Sequence, residues 1–505
     1  MKDAFSTKFE EEKIHKNRKK LGQFYTHIDL VNYIFSKIKI KKNHKIFDPT
    51  VGAGAFLVSD ILLNINNYNN IYGNDIDNEA LNLCKLNIEE NYGNINVNNF
   101  CNVDFINQEL WEMFPGIYEN GGFDLIIGNP PYLPAKKNIH YSTGDLYLQQ
   151  FICGATNLST LITAKSLKIL KKDGVLAFVL PKTFLRVESF KNIREFIINN
   201  YTILNITDLG HYFKDVRGDQ IVLIIKNVKP KKNYKLEISK LEKNLNFDKI
   251  KSIEIDYTLF SKFNFYPIFN NIEEFNFAFK LLNIPTKLSN NGCSIFRGIG
   301  FSSKFLSKEK INNNSYKIYR GDSIAKFRKK YELYIDNSLL DKDILKINKL
   351  LQNKIVLQNL CSKESGINAN ISYEDELSND TVTNIICNND DIYFLLGLLN
   401  SNFASYFLVN ILFLSSNFTM HTDSAYIGQL PIIFPTKEIK EEISNVVKEI
   451  IELDETEDKQ FRILMNRINN LIYEVYQFSP EEILLIEKGL LKTRSTKHYY
   501  GRENE

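Results

Sequence analysis

The sequence is short of the features that would make it a metal or disulfide scaffold. Its six cysteines, Cys84, Cys101, Cys153, Cys293, Cys361 and Cys387, lie far apart in 505 residues and form no CxxC pair. The seven histidines are equally scattered. That spacing argues against a zinc site and a disulfide framework, and it suits a reducing compartment, the cytoplasm. Long apolar runs are missing too. The charged opening "MKDAFSTKFEEEKIHKNRKK" leads into no apolar core, so it does not read as a secretory signal. The most apolar window, from Tyr393, is broken by Asn400, Ser401, Asn402 and Asn410, which predicts a buried helix pair and no membrane span. Excess charge of one sign is also lacking. With a net charge of +3, any nucleic-acid contact has to be a local basic patch.

What remains is an ordinary soluble composition, 44% hydrophobic and 24% charged, in a chain long enough for two or three domains. From about residue 40 to 226, short β-rich runs alternate with helical stretches. "HKIFDPT", "NIYGNDID", "NVNNFCNVDF", "FDLIIGNPP", "VLAFVLP", "ILNITDLG" and "DQIVLIIKN" read as strands. "AFLVSDILLNI", "NEALNLCKLNIEENYG", "LITAKSLKILKKDG" (closed by Gly174) and "NIREFIINNY" read as the helices between them. This alternation predicts an α/β domain over residues 1–226, a doubly wound, mostly parallel sheet. Charge and Pro230 mark 227–290 as a linker and the start of a second domain. Residues 291–436 carry short strand-like runs of an α+β kind, and 437–505 form a charged helical tail.

In doubly wound sheets ligands bind at the carboxyl ends of strands, and the unusual residues cluster there. In "FDPTVGAGAFL", Gly52 and Gly54 let backbone approach a ligand, or simply make a tight turn. Asp48 before them would repel a pyrophosphate; it suits a cation such as a sulfonium or an α-amino group. Asp75 is placed to accept hydrogen bonds from ribose hydroxyls or to cap a helix. Asp104 ends the third strand, and three carboxylates at three successive strand ends are hard to dismiss. In "NPPY", Asn129 offers an amide oxygen and Pro130 a carbonyl with no N–H of its own, beside the Tyr132 ring. That is either a proline-stiffened loop or a clamp for an amino group on a planar base. Its setting after a strand, downstream of the glycines and carboxylates, favours the clamp.

The set resembles the S-adenosylmethionine-dependent amino-methyltransferases, in particular the γ-type (NPPY) DNA adenine-N6 methyltransferases of restriction-modification systems. There a segment like "GQFYT" (Gly22 to Thr26) precedes "DPxxGxGxFL", the ribose Asp and "NPPY", in the order found here. The resemblance covers the first 226 residues well and the rest loosely; His27 departs from the family's usual Pro. It implies a Rossmann-like fold with Thr26, Asp48, Gly52 and Gly54 near the methionine part of the cofactor, S-adenosyl-L-methionine. Asp75 would bind its ribose, Asp104 would face its adenine, and Pro131 would contact the adenine ring. Phe213 would sandwich an extruded base against Tyr132. Asn129 and Pro130 would accept both amino hydrogens and localise the nitrogen lone pair for in-line transfer, without a metal.

Beyond the sheet, "SIFRGIGFSSKF" and "YRGDSIAKFRKKY" set Arg297, Arg320, Lys326, Arg328, Lys329 and Lys330 among aromatics and glycines. Such interleaving fits contacts to double-stranded DNA, and for any one residue it equally fits a solvated basic face. The frame "FRG…YRGD…LLGLLNS…GQLPI" resembles a target-recognition domain. No PD…ExK-like nuclease pattern precedes Gly22, so the expectation is an enzyme that modifies without cutting, acts as a monomer, and leaves any cognate restriction endonuclease to a separate gene. Cytosine-N4, RNA and glutamine substrates stand as alternatives; Asn before the prolines favours adenine, and the long second domain disfavours glutamine. A DNA-recognition subunit with a decayed catalytic domain is a further alternative, against which the intact motifs argue.

Overall fold

The computed structural model describes residues 26–64, 68–93, 95–135, 145–213, 218–241, 247, 250–340, 344–416, 419–454 and 456–491. They fall into two compact units, one ending at Ile272 and the other beginning at Glu273.

The first unit is built on a nine-stranded sheet. Its strands are β1 (Ile46–Asp48), β2 (Ile71–Asn74), β3 (Phe100–Cys101), β4 (Phe123–Gly128), β5 (Leu170–Pro181), β6 (Thr202–Gly210), β7 (Gln220–Lys226), β8 (Lys235–Lys240) and β9 (Lys251–Asp256). They lie in the order β3-β2-β1-β4-β5-β7-β6-β8-β9. The first five are mutually parallel, whereas β7 runs antiparallel to both β5 and β6. The strand order reverses between β1 and β4, so a crevice opens outside their carboxyl ends. Ile46, Phe47, Ile126, Ile127, Ala177 and Val179 are wholly buried. This is why these strands read as unbroken apolar runs: both faces of the sheet are covered. Phe47 stacks on Phe123 at 4.6 Å, tying β1 to β4 beneath the crevice.

Several local expectations change. After β1, residues 55–58 are turn and bend, and the helix α1 starts only at Asp60 (Asp60–Asn64). The helix α2 (Asn78–Tyr92) is N-capped by Asp77 and ends at Gly93, as the sequence predicts. The helix α3 (Leu158–Lys168) stops at Lys168, and "KKDG" lies inside β5. The β4–β5 register jumps from Phe123↔Leu170 to Leu125↔Val175, so residues 171–174 form a bulge with Asp173 at φ +65°. Gly174 therefore turns a strand and does not close a helix. The sheet also continues past residue 226. Residues 227–272 add β8, which is parallel to β6, and β9, which pairs with β8, and the division between units falls at Ile272.

The second unit contains an antiparallel sheet ordered β10-β19-β15-β17 and a three-stranded sheet ordered β14-β11-β18. Their members are β10 (Ser294–Arg297), β11 (Ser315–Tyr319), β14 (Tyr334–Asp336), β15 (Lys354–Gln358), β17 (Ala369–Ser372), β18 (Glu376–Ser378) and β19 (Val382–Ile386). The two-residue strands β12 (Ile324–Ala325), β13 (Arg328–Lys329), β16 (Leu360–Cys361) and β20 (Met420–His421) complete it. The apolar window becomes Asn389–Asn400 and Asn402–Leu412, bent by 59° and almost entirely buried; no single helix among the described residues is long and apolar enough to cross a membrane. It packs against the helix Lys437–Glu452, which Asp458–Val475 and Pro480–Leu491 follow.

Candidate active site

At the end of β1, Asp48 is buried, and its Oδ1 accepts the Thr50 N–H at 3.0 Å. Burial pushes its carboxyl far above the usual range, and the nearby Asp75 adds to the shift. Among the described residues no side-chain cation is paired with it. The chain then turns through Gly52 at φ +53° and Gly54 at φ +91°. A Cβ on Gly54 would lie 2.8 Å from Cys84 Sγ of α2, whereas a Cβ on Gly52 would meet nothing within 4 Å. Gly54 is therefore a packing requirement. Gly52 is an open backbone edge, and its N–H donates to Asp75 Oδ2 at 2.8 Å.

Asp75 follows β2. Its Oδ1 accepts the Asp77 N–H at 2.9 Å, so the carboxylate braces both the glycine turn and the start of α2. Asp104 lies past β3, and its oxygens accept from the Ile106 N–H at 3.1 Å and the Asn107 amide at 2.8 Å. It braces its own turn.

At the end of β4, Gly128 is required by its neighbour, since a Cβ there would lie 2.6 Å from Asp48 Oδ1. The next residue is Asn129, and the Asp48 carboxylate and the amide are thereby held at the ends of adjacent strands. Asn129 Nδ2 donates to the Thr26 Oγ1 at 3.4 Å, and its Oδ1 accepts the Tyr132 hydroxyl at 2.7 Å. Both partners are hydroxyls, and the two bonds together hold the plane of the amide in place. Desolvation pushes the Tyr132 phenol well above its ordinary range, so it stays a donor. Thr26 and Pro130 are buried, and Pro131 is half-buried. His27, the departure from the family pattern, caps the helix Ile28–Ser36 by accepting the Asp29 N–H. Gly22 to Tyr25 of the "GQFYT" segment lie outside the described residues.

Phe213 is 8% exposed and belongs to the large core cluster against which Tyr132 also packs. Two features here have no local sequence signal. Gln220, fully buried at the start of β7, accepts the Tyr212 and Phe213 N–H groups on Oε1 at 3.1 and 3.2 Å. Lys182, just after β5, pairs with Asp208 of β6 at 2.9 Å, both buried. Burial acts to raise the Asp208 carboxyl. The Lys182 and Lys240 charges, with hydrogen bonds from Lys182 and the Gly210 N–H, outweigh it and hold the carboxyl below its ordinary range. Only the β5-β7-β6 strand order brings these groups together.

In the second unit, five of the six expected basic contacts are held by the protein itself. Arg297 donates to Asp423 at 2.6 and 2.9 Å and to Asn359 at 2.8 Å. Arg320 pairs with Asp322 at 3.2 Å, and Lys326 donates to the Asn400 carbonyl. Arg328 lies over the Phe461 ring at 5.2 Å and donates to the Asp454 carbonyl. Lys329 bonds Glu376 at 3.0 Å and sits 4.1 Å from the Tyr319 ring centroid. Lys330 is exposed.

Comparison with known proteins finds restriction-modification enzymes. Residues 69–214, from before β2 to just past Phe213, match the Eco57I restriction-modification methylase family. Type II methyltransferase M.VspI of a Vibrio species is 26% identical over 215 residues, 42% of this chain and 49% of that one. RM.MjaORFECS2P of Methanocaldococcus jannaschii, an inferred type II restriction enzyme and methyltransferase, is 25% identical over 395 residues, 72% of this chain and 32% of that one. The chain thus spans half or less of these relatives' length. It shares its fold with the solved type IIL restriction-modification enzyme MmeI in complex with DNA, at TM-score 0.62 and 13% identity over 97% of this chain and 81% of that one. The segment that carries "NPPY" therefore lies within the match to a restriction-modification methylase family, on a doubly wound sheet.

Proposed function

We propose that the protein is a sequence-specific DNA methyltransferase that moves a methyl group from S-adenosylmethionine to adenine N6 of a flipped-out base, and that modifies DNA without cutting it. The observation that carries this reading is the fixed Asn129 amide, with Nδ2 on Thr26 and Oδ1 on the Tyr132 hydroxyl, one residue from the Gly128–Asp48 contact.

The residues fit S-adenosylmethionine. A buried carboxylate, Asp48, without a side-chain cation partner among the described residues suits a ligand that is itself positively charged. The open Gly52 edge, with the Asp75 carboxylate beside it at the end of β2, suits a ribose. Thr26, Gly54, Asp104 and Pro131 complete the proposed cofactor set. When bound, the cofactor supplies an electrophilic methyl group.

This chain's own residues do the remaining work. Asn129 Oδ1 accepts one amino hydrogen of the target base on its second lone pair, and the Pro130 carbonyl accepts the other. The amino nitrogen is drawn toward tetrahedral geometry, which frees its lone pair for attack. Tyr132 and Phe213 stack on the extruded ring and offset the few kcal/mol that unstacking costs. The second unit is the proposed DNA-recognition unit. Of its six basic candidates, Lys330 is proposed to meet phosphate directly, whereas Arg297, Arg320, Lys326, Arg328 and Lys329 contribute through the protein contacts that hold them.

The test is methyl incorporation into unmethylated DNA, with S-adenosylmethionine binding measured beside it. Asn129→Ala is expected to bind the cofactor within about twofold of wild type and to lose transfer by 100-fold or more, of the order seen when one oxyanion-hole donor is removed. Normal turnover in that variant rules the clamp out. Breakage of the same DNA in the presence of magnesium rules out the modification-only assignment.

A further inference from the structure

The loop between β6 and β7 carries Phe213 but is not held there by the sheet. The ladder closes at Gly210↔Gln220, so the amides of Tyr212 and Phe213 lie beyond reach of a β-partner. Their partner is the Gln220 side chain. Its Oε1 accepts both N–H groups at 3.1 and 3.2 Å, and its Nε2 donates to the Gly218 carbonyl on the returning limb. The amide is wholly buried. One side chain therefore replaces two missing ladder bonds and ties the two limbs of the loop together. Gly210 at φ +59° and Gly218 at φ +124° give the backbone freedom to close on it. Beneath the loop, the buried Lys182–Asp208 pair and the bond from the Lys182 N–H to the Asp219 carbonyl, 2.8 Å, hold the strand ends.

We propose that Gln220 is the positioning residue of the base-stacking step: it fixes the backbone from which Phe213 presents its ring opposite Tyr132. The inference rests on the reading of Phe213 as a stacking residue. An aromatic ring offered to a mobile base has to be set before the base arrives, because a ring that is itself loose adds its own ordering cost to every turnover. Tyr212 meets Phe213 edge-on at 5.0 Å, so both rings of the loop move with the two amides that Gln220 holds. Glutamine is suited to the task. An alkyl chain of the same size would bury two unpaired N–H groups, and asparagine would retract the amide by one methylene, short of both. Glutamate keeps the acceptor for both amides and, in the protonated form that burial favours, its hydroxyl can donate to the Gly218 carbonyl in place of Nε2.

The experiment uses the full chain, an oligonucleotide containing the site mapped for wild type, and 2-aminopurine at the target position to report extrusion. Gln220→Asn and Gln220→Leu are compared with Gln220→Glu and with Phe213→Ala. For both Asn and Leu the expected result is a fall in kcat of about tenfold or more, the scale at which sub-ångström misplacement of a reacting group is felt. Cofactor affinity stays unchanged, and the 2-aminopurine enhancement is weakened. Gln220→Glu should recover most of the signal and turnover. A variant that merely loosens the fold would lower cofactor binding and melting temperature together, without selective loss of the extrusion signal, and that pattern overturns the proposal. If Phe213→Ala loses turnover while both Gln220→Asn and Gln220→Leu keep it, the positioning role is wrong and the stacking reading stands. If Phe213→Ala turns over like wild type, the stacking reading fails and takes the inference with it.

Discussion

The Tyr132 hydroxyl donates to Asn129 Oδ1 at 2.7 Å, so the ring proposed to stack on the base also orients the amide proposed to grip it. An amide oxygen has two lone pairs, and this bond uses one and leaves one. Tyr132→Phe keeps the ring and frees the oxygen to turn. The expected outcome is an unchanged KM for DNA and a kcat lower by about fivefold, the worth of one net hydrogen bond of ~1 kcal/mol. Tyr132→Ala, which removes the ring as well, should lose far more. Equal losses in the two variants would contradict the division of labour.

As a proposed cofactor contact, Asp48 predicts proton-linked binding. In the free protein burial raises its carboxyl, so at pH values above the ordinary carboxylate range a fraction still carries a proton. A cationic ligand favours the ionised form, so binding releases that proton and affinity rises with pH up to the raised value. Calorimetry in buffers of different ionisation enthalpy should show proton release, absent in Asp48→Asn. Gly128→Ala, whose methyl would press on Asp48 Oδ1, should weaken cofactor binding without removing the carboxylate.

The Lys182–Asp208 pair contributes to stability with a definite pH sign. The folded-state carboxyl lies below its ordinary value. Its contribution is fully present above the unfolded value of about 4 and is lost as pH falls through the lower folded one. Lys182→Met strands a buried carboxylate and should cost about 3–5 kcal/mol near neutral pH. Chemical denaturation of wild type and Lys182→Met at a series of pH values should show the gap narrowing below pH of about 4. A gap independent of pH would assign the loss to packing alone.

In the second unit the basic residues separate into two kinds. Lys330→Ala should leave melting unchanged, weaken DNA binding and reduce the slope of log affinity against log salt by about one. Arg297→Ala removes the partner of Asp423 and Asn359 at a half-exposed site, so it should lower stability by about 1 kcal/mol before any effect on DNA is counted. An Arg297→Ala variant with wild-type melting and a reduced salt slope would reverse the two roles.

The motifs around the crevice were legible because each is local: an apolar strand, then a residue type the strand itself does not need. Gly52, Asp75 and Asn129 all fall where β1, β2 and β4 end. What was not legible depends on partners distant in sequence. The end of α3 was obscured because "KKDG" has the composition of a helix C-terminus, and only pairing with β4 turns it into a bulge within β5. The sheet past residue 226 was hidden by charged strands such as "KLEISK", which carry only two large apolar residues. Gln220 looks like an ordinary strand residue until the loop it holds is folded over it. The basic residues of the second unit read as free because sequence does not show that Asp423 or Glu376 will lie against them.

The central claim is that this clamp methylates an adenine amino group in DNA. Transfer of labelled methyl from S-adenosylmethionine to unmethylated genomic DNA, followed by nucleoside analysis, tests it most directly. The account predicts label in N6-methyladenine. Label in N4-methylcytosine would keep the amide clamp and overturn the base, and label absent from DNA but present in RNA or protein would contradict the proposed role of the second unit.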